Sequence, residues 1–376
     1  MMTPTLPSPA CGGGLGWGPA LGSRNERKSC MRAIVIHQYG PPGVLSYEEI
    51  ADPQPRPGEI RILVHAATVN RVLDVSLRAG KEGARGPVLP LIPGVDCAGV
   101  VDAVGPQVTR WRVGARVAAA GVMPLDPCAE DGQGYTGPMG MMGMKRPGGF
   151  ARMVVVPACA AIEIPPELDF HAAAVVIRHV PTAWNLLINV ALLKRGETVL
   201  ILGAGGNLGS IGIQIAKNVI GARVIAIASS DERVRTALTL GADHAINYNS
   251  TDLHGAVMRC TGGEGVDVLY DNIANPRVLP QAFRTLAMLG RLVTAGAHGG
   301  PNVAIDFSHL YHNRITIKGE PGHRAGDVEA CFAAVSAGKI KPQIEHVLPL
   351  SRAADAHRMV ESGEARAKIV LDPTQG

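Results

Sequence analysis

The chain has 376 residues, enough for two domains that each bury a core. Its formal charge of +4 is small for that length and no stretch concentrates Lys and Arg, which leaves nucleic-acid and membrane-surface roles without support. Seven dispersed cysteines with no CxxC read as reduced thiols of a cytoplasmic protein, and no apolar run reaches the roughly 18 residues of a membrane helix.

Residues 1–30 are rich in Gly, Pro and Ser and lack periodicity, so they read as a disordered extension, for which a start codon placed upstream of Met31 is one explanation. From Met31 to about Pro157 short β-branched runs (residues 32–37, 60–66, 99–104 and 115–120) alternate with Gly-Pro punctuation, and residues 69–78 fit a short helix between two of them. Residues 121–149, which include PMGMMGMKRPGG, show no strand pattern and read as a mobile surface lobe.

From Asp169 onward helices and strands alternate. Helical patterns cover residues 171–193, 232–240, 253–260 and 276–289, and strand patterns cover 245–247, 266–270, 291–295 and 313–319. Between the first two helices lies VLILGAGGNLGSIGIQIAKNVIGARVIAIA (residues 199–228): an apolar strand, a glycine-dense turn, a helix and a second strand. That is the βαβ pattern of a dinucleotide site, in which glycines let the backbone approach a pyrophosphate at a helix N-terminus. Six such strands predict a doubly wound parallel sheet of the α/β class. Helices at 328–336 and 353–362 follow, and a strand at 368–371 is expected to return to the first domain's sheet.

Five stretches in order (PGVDCAGVVDAVGPQV, GGFARMVVVP, GAGGNLGSIGIQIAK, LGADHAINY and GRLVTAGAHGG) resemble the medium-chain dehydrogenase/reductase superfamily over about residues 31–373. The resemblance implies a GroES-like substrate domain (31–168 with 322–376) and a Rossmann domain (169–321). It also implies a homodimer formed through residues 315–318. In the zinc alcohol dehydrogenases of that superfamily, a Cys, a His and a later Cys or Asp hold a catalytic zinc. Here Asn70 (or, shifted by one, Arg71), Val95 and the neighbourhood of Arg178 stand at those positions, and the lobe with four cysteines in zinc relatives keeps only Cys128. His179 and Asp96 are two further donors without a third. The chain is more similar to the zinc-independent quinone oxidoreductase and enoyl reductase branch, with no metal expected. One departure is the spacing of Asn70 and Asp74, a residue longer than the usual NxxD.

An NAD site needs an acid at the end of the second strand, whereas this chain has Ala228, Ser229, Ser230 and then Arg233, which suit a 2′-phosphate and point to NADP(H). Asp231 and Glu232 complicate this, and Ser230 doubles as an N-cap. The resemblance adds Tyr248 beside the adenosine phosphate and Ala204, Gly205, Gly206, Asn207, Leu208 and Gly209 as the pyrophosphate loop. It adds Asp271-Asn272, Ala295-Gly296 and Thr182 near the ribose and nicotinamide, and Lys368 near the pyrophosphate unless it is a solvated surface lysine. Asn207 stands where glycine is common, on the expectation that Asn tolerates a left-handed backbone.

The expected chemistry is hydride transfer to a quinone or α,β-unsaturated carbonyl, small acceptors that need no Lewis acid. Asn70, and with it Arg71 or Arg178, would face that acceptor, although both arginines also fit surface salt bridges. Tyr135 is the weak candidate for a proton donor. Two other readings stay open at this point: a zinc-type alcohol dehydrogenase with atypical ligands, and an NADPH-binding redox-sensing or structural protein of low activity.

Overall fold

The structure is a computed structural model that describes residues 29–81, 89–129 and 135–375. The expected extension (residues 1–30) lies outside the described residues except at its end, where Cys30 opens the strand Cys30–Ile36 and pairs with Ala51.

Six parallel strands form one sheet, and in chain order they lie 3-2-1-4-5-6. The first, Thr198–Leu202, sits at the centre between Arg223–Ala228 and Val266–Asp271. Four of its five residues are buried, because helices cover both faces of the sheet and leave no polar side to alternate with. Each fully buried Val, Ile or Leu contributes about 1.5–3 kcal/mol relative to an exposed one. The strand order reverses between Thr198–Leu202 and Val266–Asp271, so a crevice opens there at the carboxyl ends of the strands.

The other large sheet has seven strands built around the antiparallel pair Glu59–Thr68 and Asp96–Val104. The final strand, Lys368–Asp372, pairs antiparallel with the end of Glu59–Thr68, through Val370 with Thr68 and Leu371 with Ala67. The chain end therefore returns to the first sheet, as its pattern predicts. The helix Phe170–Trp184 joins the two halves: Asp169 caps it by accepting from the Ala172 N–H at 2.7 Å, and its apolar face (Ala173, Ala174, Val176, Ile177, Val180) is buried.

Three expectations need correction, and some elements were not anticipated. Within the described part of residues 121–149, Val122–Pro124 pairs with Met139–Met141, Met123 and Met142 are buried, and Arg146 forms a buried ion pair with Glu59 at 2.8 Å. The lobe is pinned by its methionines and one arginine, a tertiary anchor that periodicity does not register. The helix expected over 276–289 is only Leu279–Phe283, since Val266 pairs with Leu286 and draws residues 286–294 into the sheet. Asn207 is the first residue of its helix and has no positive φ; the left-handed residue of that turn is Gly203, at φ 70°. The strands Leu45–Ala51 and Ile344–Pro349 and the helix Phe307–His312 lack a pattern strong enough to be anticipated.

Candidate active site

Four chain segments meet at Asn70. The register that sets Ala66 opposite Ala98 carries Thr68 to Asp96, and the register of the final strand carries Lys368 to Asn70. Thr68 donates to Asp96 from both its N–H and its Oγ1, each at 2.6 Å. The Asn70 Nδ2 group faces oxygens: Asp74 Oδ2 and Asp96 Oδ2 at 3.0 Å each, Thr68 O at 3.1 Å and Thr68 Oγ1 at 3.2 Å. Its Oδ1 faces donors, His179 Nε2 at 2.6 Å and Lys368 Nζ at 2.7 Å. An amide oxygen only accepts, so His179 carries its proton on Nε2. Both ends of the carboxamide are saturated, and Asn70 is 3% exposed. It therefore organises the cluster rather than offering a free group to a substrate.

The spacing that departs from NxxD is explained by the backbone. Residues Arg71–Val75 form a π-turn in which the Val75 N–H donates to Asn70 O at 3.1 Å. The wider turn absorbs the extra residue and returns Asp74 to Asn70, whose backbone N–H donates to Asp74 Oδ2 at 2.8 Å.

Burial governs the charges here. It pushes the Asp74 carboxyl up to about 7, with the Asp96 charge adding to the rise, and it raises Asp96 as well. Burial pulls Lys368 down to about 8 against the attraction of Asp96 and Asp74, and holds His179 neutral, helped by the Lys368 charge. Lys368 is 2% exposed and turned toward Asn70, so it is neither a solvated lysine nor extended toward the glycine turn. Arg71 is exposed. Arg178 is partly buried, and its Nε is closed off from solvent without a hydrogen-bond partner. Tyr135 is committed within its own loop, donating to Pro138 O at 2.9 Å. Thr182 is buried one helical turn beyond Arg178.

The crevice of the parallel sheet carries the second half of the site. A Cβ on Gly209 would lie 2.2 Å from Gly203 O, so only glycine lets this helix approach the strand end. A Cβ on Gly205 would meet Arg233 Cδ at 2.6 Å, which shows that Arg233 lies across the turn. Arg233 Nη1 donates to Ser229 Oγ at 3.2 Å, while Ser230 Oγ caps the next helix. Both acids that follow have partners: Asp231 accepts from Asn247 at 2.7 Å, and Glu232 pairs with Arg366 at the edge of the same cleft. Ala204, Gly205, Asn207, Arg233 and Arg366 line a cleft of about 170 Å³. Tyr248 follows at the end of the third strand, its N–H bonded to Ala228 O. Across the crevice Asn272 donates to Leu202 O at 3.3 Å, and the Ala295 N–H donates to Asp271 O at 3.4 Å. A Cβ on Gly296 would meet Asn272 O at 2.5 Å.

The sequence matches the alcohol dehydrogenase GroES-like domain over residues 56–166 and the zinc-binding dehydrogenase domain over residues 206–336. It is 32% identical over 358 residues to a 2-haloacrylate reductase of Burkholderia sp, covering 91% of this chain and 98% of that protein. The chain belongs to the medium-chain dehydrogenase/reductase superfamily, in its quinone oxidoreductase-like branch. A quinone oxidoreductase of Sus scrofa is 29% identical over 349 residues, covering 91% of this chain and 97% of that protein. The crystal structure of an NAD-dependent alcohol dehydrogenase superposes with a TM-score of 0.82 at 32% identity, covering 91% of this chain and 99% of that one. The chain is thus an oxidoreductase of a family that binds a nicotinamide cofactor, with a GroES-like domain and a Rossmann-type parallel sheet. Among the described residues, no helix is long and apolar enough to cross a membrane.

Proposed function

We propose that this protein is an NADP(H)-dependent reductase of quinones or α,β-unsaturated carbonyl compounds that works without zinc. The observation that carries the reading is the polar cluster at Asn70. Where zinc relatives place metal ligands, this chain has a carboxamide already saturated by Asp74, Asp96, His179 and Lys368, together with the buried, apolar Val95. Among the described residues no three His, Cys, Asp or Glu side chains are grouped to hold a metal ion. The donor set does not fit zinc, and no step of the chemistry is assigned to it.

The glycine turn fits a dinucleotide, and a nicotinamide bound there supplies the hydride. The protein's share is orientation and charge. Ala204 to Gly209 present a helix N-terminus to a pyrophosphate, and Thr182, Asn272, Ala295 and Gly296 border the ring end. Ser229 and Arg233 meet a 2′-phosphate, with Tyr248 beside it. Glu232, which lines the same cleft, is paired with Arg366, and Asp231 accepts from Asn247, so each acid already has a partner. Lys368 keeps a proton at Nζ below about pH 8 and holds Asn70 Oδ1 with it, a buried positive charge that favours negative charge developing on a reduced acceptor. The relatives named 2-haloacrylate reductase and quinone oxidoreductase support this acceptor class.

The same reading includes a homodimer in the cytoplasm. The edge strand Thr316–Gly319 is exposed along its whole length, and Met288, Leu289, Phe307 and Tyr311 of neighbouring segments are also exposed. Such an apolar edge suits strand pairing with a second copy. The cofactor reading is tested by comparing the two nucleotides. NADPH should bind at least ~10-fold more tightly than NADH, and Arg233→Ala should abolish the difference while leaving NADH affinity unchanged; equal binding of both by the wild type would refute it.

A further inference from the structure

One side chain beside the cluster is left without a role by that reading. Arg178 follows the apolar stretch of the helix Phe170–Trp184 and precedes His179, whose ring is fixed on Asn70. It lies within electrostatic range of Asp74 and Asp96, yet pairs with neither. Each carboxylate is taken up by shorter-range donors: Asp96 by Thr68 and Asn70, Asp74 by Asn70 and the Gly94 N–H at 3.2 Å. The Arg178 Nε is shut off from water with no partner among the described residues. A guanidinium has five donors in a planar fork that matches a carboxylate, and leaving the shielded Nε–H unused is costly. The ordinary compensation, an ion pair within the fold, is missing among the described residues.

Position adds to this. Thr182 lies four residues further on, one turn along the same helix face, and it is the residue that borders the nicotinamide in the reading above. Arg178 also stands near the third zinc-ligand position of the metal-dependent relatives. A positive charge therefore sits one helical turn from Thr182 and beside the Asn70 cluster, in the region the reading above gives to the acceptor. Lys368 is the second cation of this region, buried on Asn70 Oδ1, so Arg178 is the one of the two whose fork is not already committed to the cluster.

We infer that Arg178 is the specificity-determining residue of the acceptor site, and that the acceptor carries a carboxylate conjugated to its reducible double bond, held by the Arg178 fork. This rests on the acceptor class proposed above and narrows it to anionic members. Neutral quinones and enones would bind without that contact and leave the guanidinium unpaired.

Binding separates this inference from the hydride-transfer reading. Butanoate and butanamide, equal in shape and different in charge, are titrated calorimetrically into the protein already saturated with NADP⁺, so that the cofactor's own phosphates are in place. The wild type should bind butanoate at least tenfold more tightly than butanamide. Arg178→Met should remove the preference, and Arg178→Lys should keep part of it. Equal affinities in the wild type, or a preference that survives in a folded Arg178→Met protein, would overturn the assignment. If Arg178→Met does not fold, the wild-type ratio and the Arg178→Lys ratio still decide it. Turnover of 2-butenoate and 2-butenamide with NADPH is then measured on the same samples. An anion preference without reduction of either compound would sustain Arg178 as the anion site and refute the reductase reading. Reduction of both compounds at equal kcat/KM without a binding preference would do the reverse.

Discussion

Lys368 lies 298 residues beyond Asn70 in the chain, yet its ammonium donates to Asn70 Oδ1 at 2.7 Å. The contact ties the last strand of the molecule to the turn after Glu59–Thr68, and through Asn70 to His179 and two carboxylates. Removing the carboxamide takes the shared acceptor from His179 and Lys368 and one donor from each carboxylate. Asn70→Ala should therefore cost about 3 kcal/mol of stability, the scale on which a buried charged network fails when one partner is deleted. Chemical denaturation with a common m-value measures it.

Lys368 should leave its own mark on the pH profile. Its pKa in the fold is about 8, below the ~10.4 of an unfolded chain, so between those values the unfolded state binds the proton and the native state does not. Stability then rises with pH over that window. Activity should fall over the same window, because the buried ammonium that holds Asn70 Oδ1 is lost. A kcat/KM that declines above about pH 8 while the melting temperature holds or rises would identify this group, and Lys368→Arg should move the decline beyond about pH 10.

The two glycines of the turn should differ in their effects. A Cβ on Gly209 collides with the backbone carbonyl of Gly203, which cannot move without unseating the helix. Gly209→Ala should lose about 2–3 kcal/mol and all dinucleotide binding. A Cβ on Gly205 meets only the flexible stem of Arg233. Gly205→Ala should fold with a loss of about 1 kcal/mol or less, while its discrimination between NADPH and NADH drops because Arg233 is displaced. Melting curves and nucleotide titrations read both effects.

Far from the cleft, His357 is fully buried beside Phe150, and neither ring nitrogen has a hydrogen-bond partner among the described residues. Burial, with the nearby Arg78 charge, lowers its pKa to about 3. Between about pH 6.5 and 3 the unfolded chain binds a proton that the native state refuses, so this residue removes up to about 1.4 kcal/mol of stability per unit of acidification. His357→Leu should match or exceed the wild type near pH 7 and lose less stability at pH 5, as denaturant midpoints at the two pH values will show.

The nucleotide half of the molecule was legible in the sequence because parallel strands covered on both faces read as continuous apolar runs, as in residues 199–202 and 224–228. Glycines fixed the turn between them. The acceptor half was only partly legible. Asn70, Asp74, Asp96, His179 and Lys368 are scattered over some 300 positions, and only the registers of Glu59–Thr68 with its two neighbours bring them together. Thr68 was missed altogether, although its place two residues before Asn70, on the same face of an extended chain, was an available signal. The resemblance puts Lys368 near the pyrophosphate, and only the register of the final strand shows it turned to Asn70 instead. The π-turn at Arg71–Val75 could not be derived from propensity, since it compensates for a single added residue.

The central claim is that the cleft works through protein charges and a nicotinamide without a metal. The most direct measurement is the zinc content of the purified protein together with NADPH oxidation by an electron-poor quinone before and after chelation with 1,10-phenanthroline. The account predicts zinc far below one equivalent and an unchanged rate. One equivalent of zinc, with activity lost on chelation and restored by adding the metal back, would contradict it.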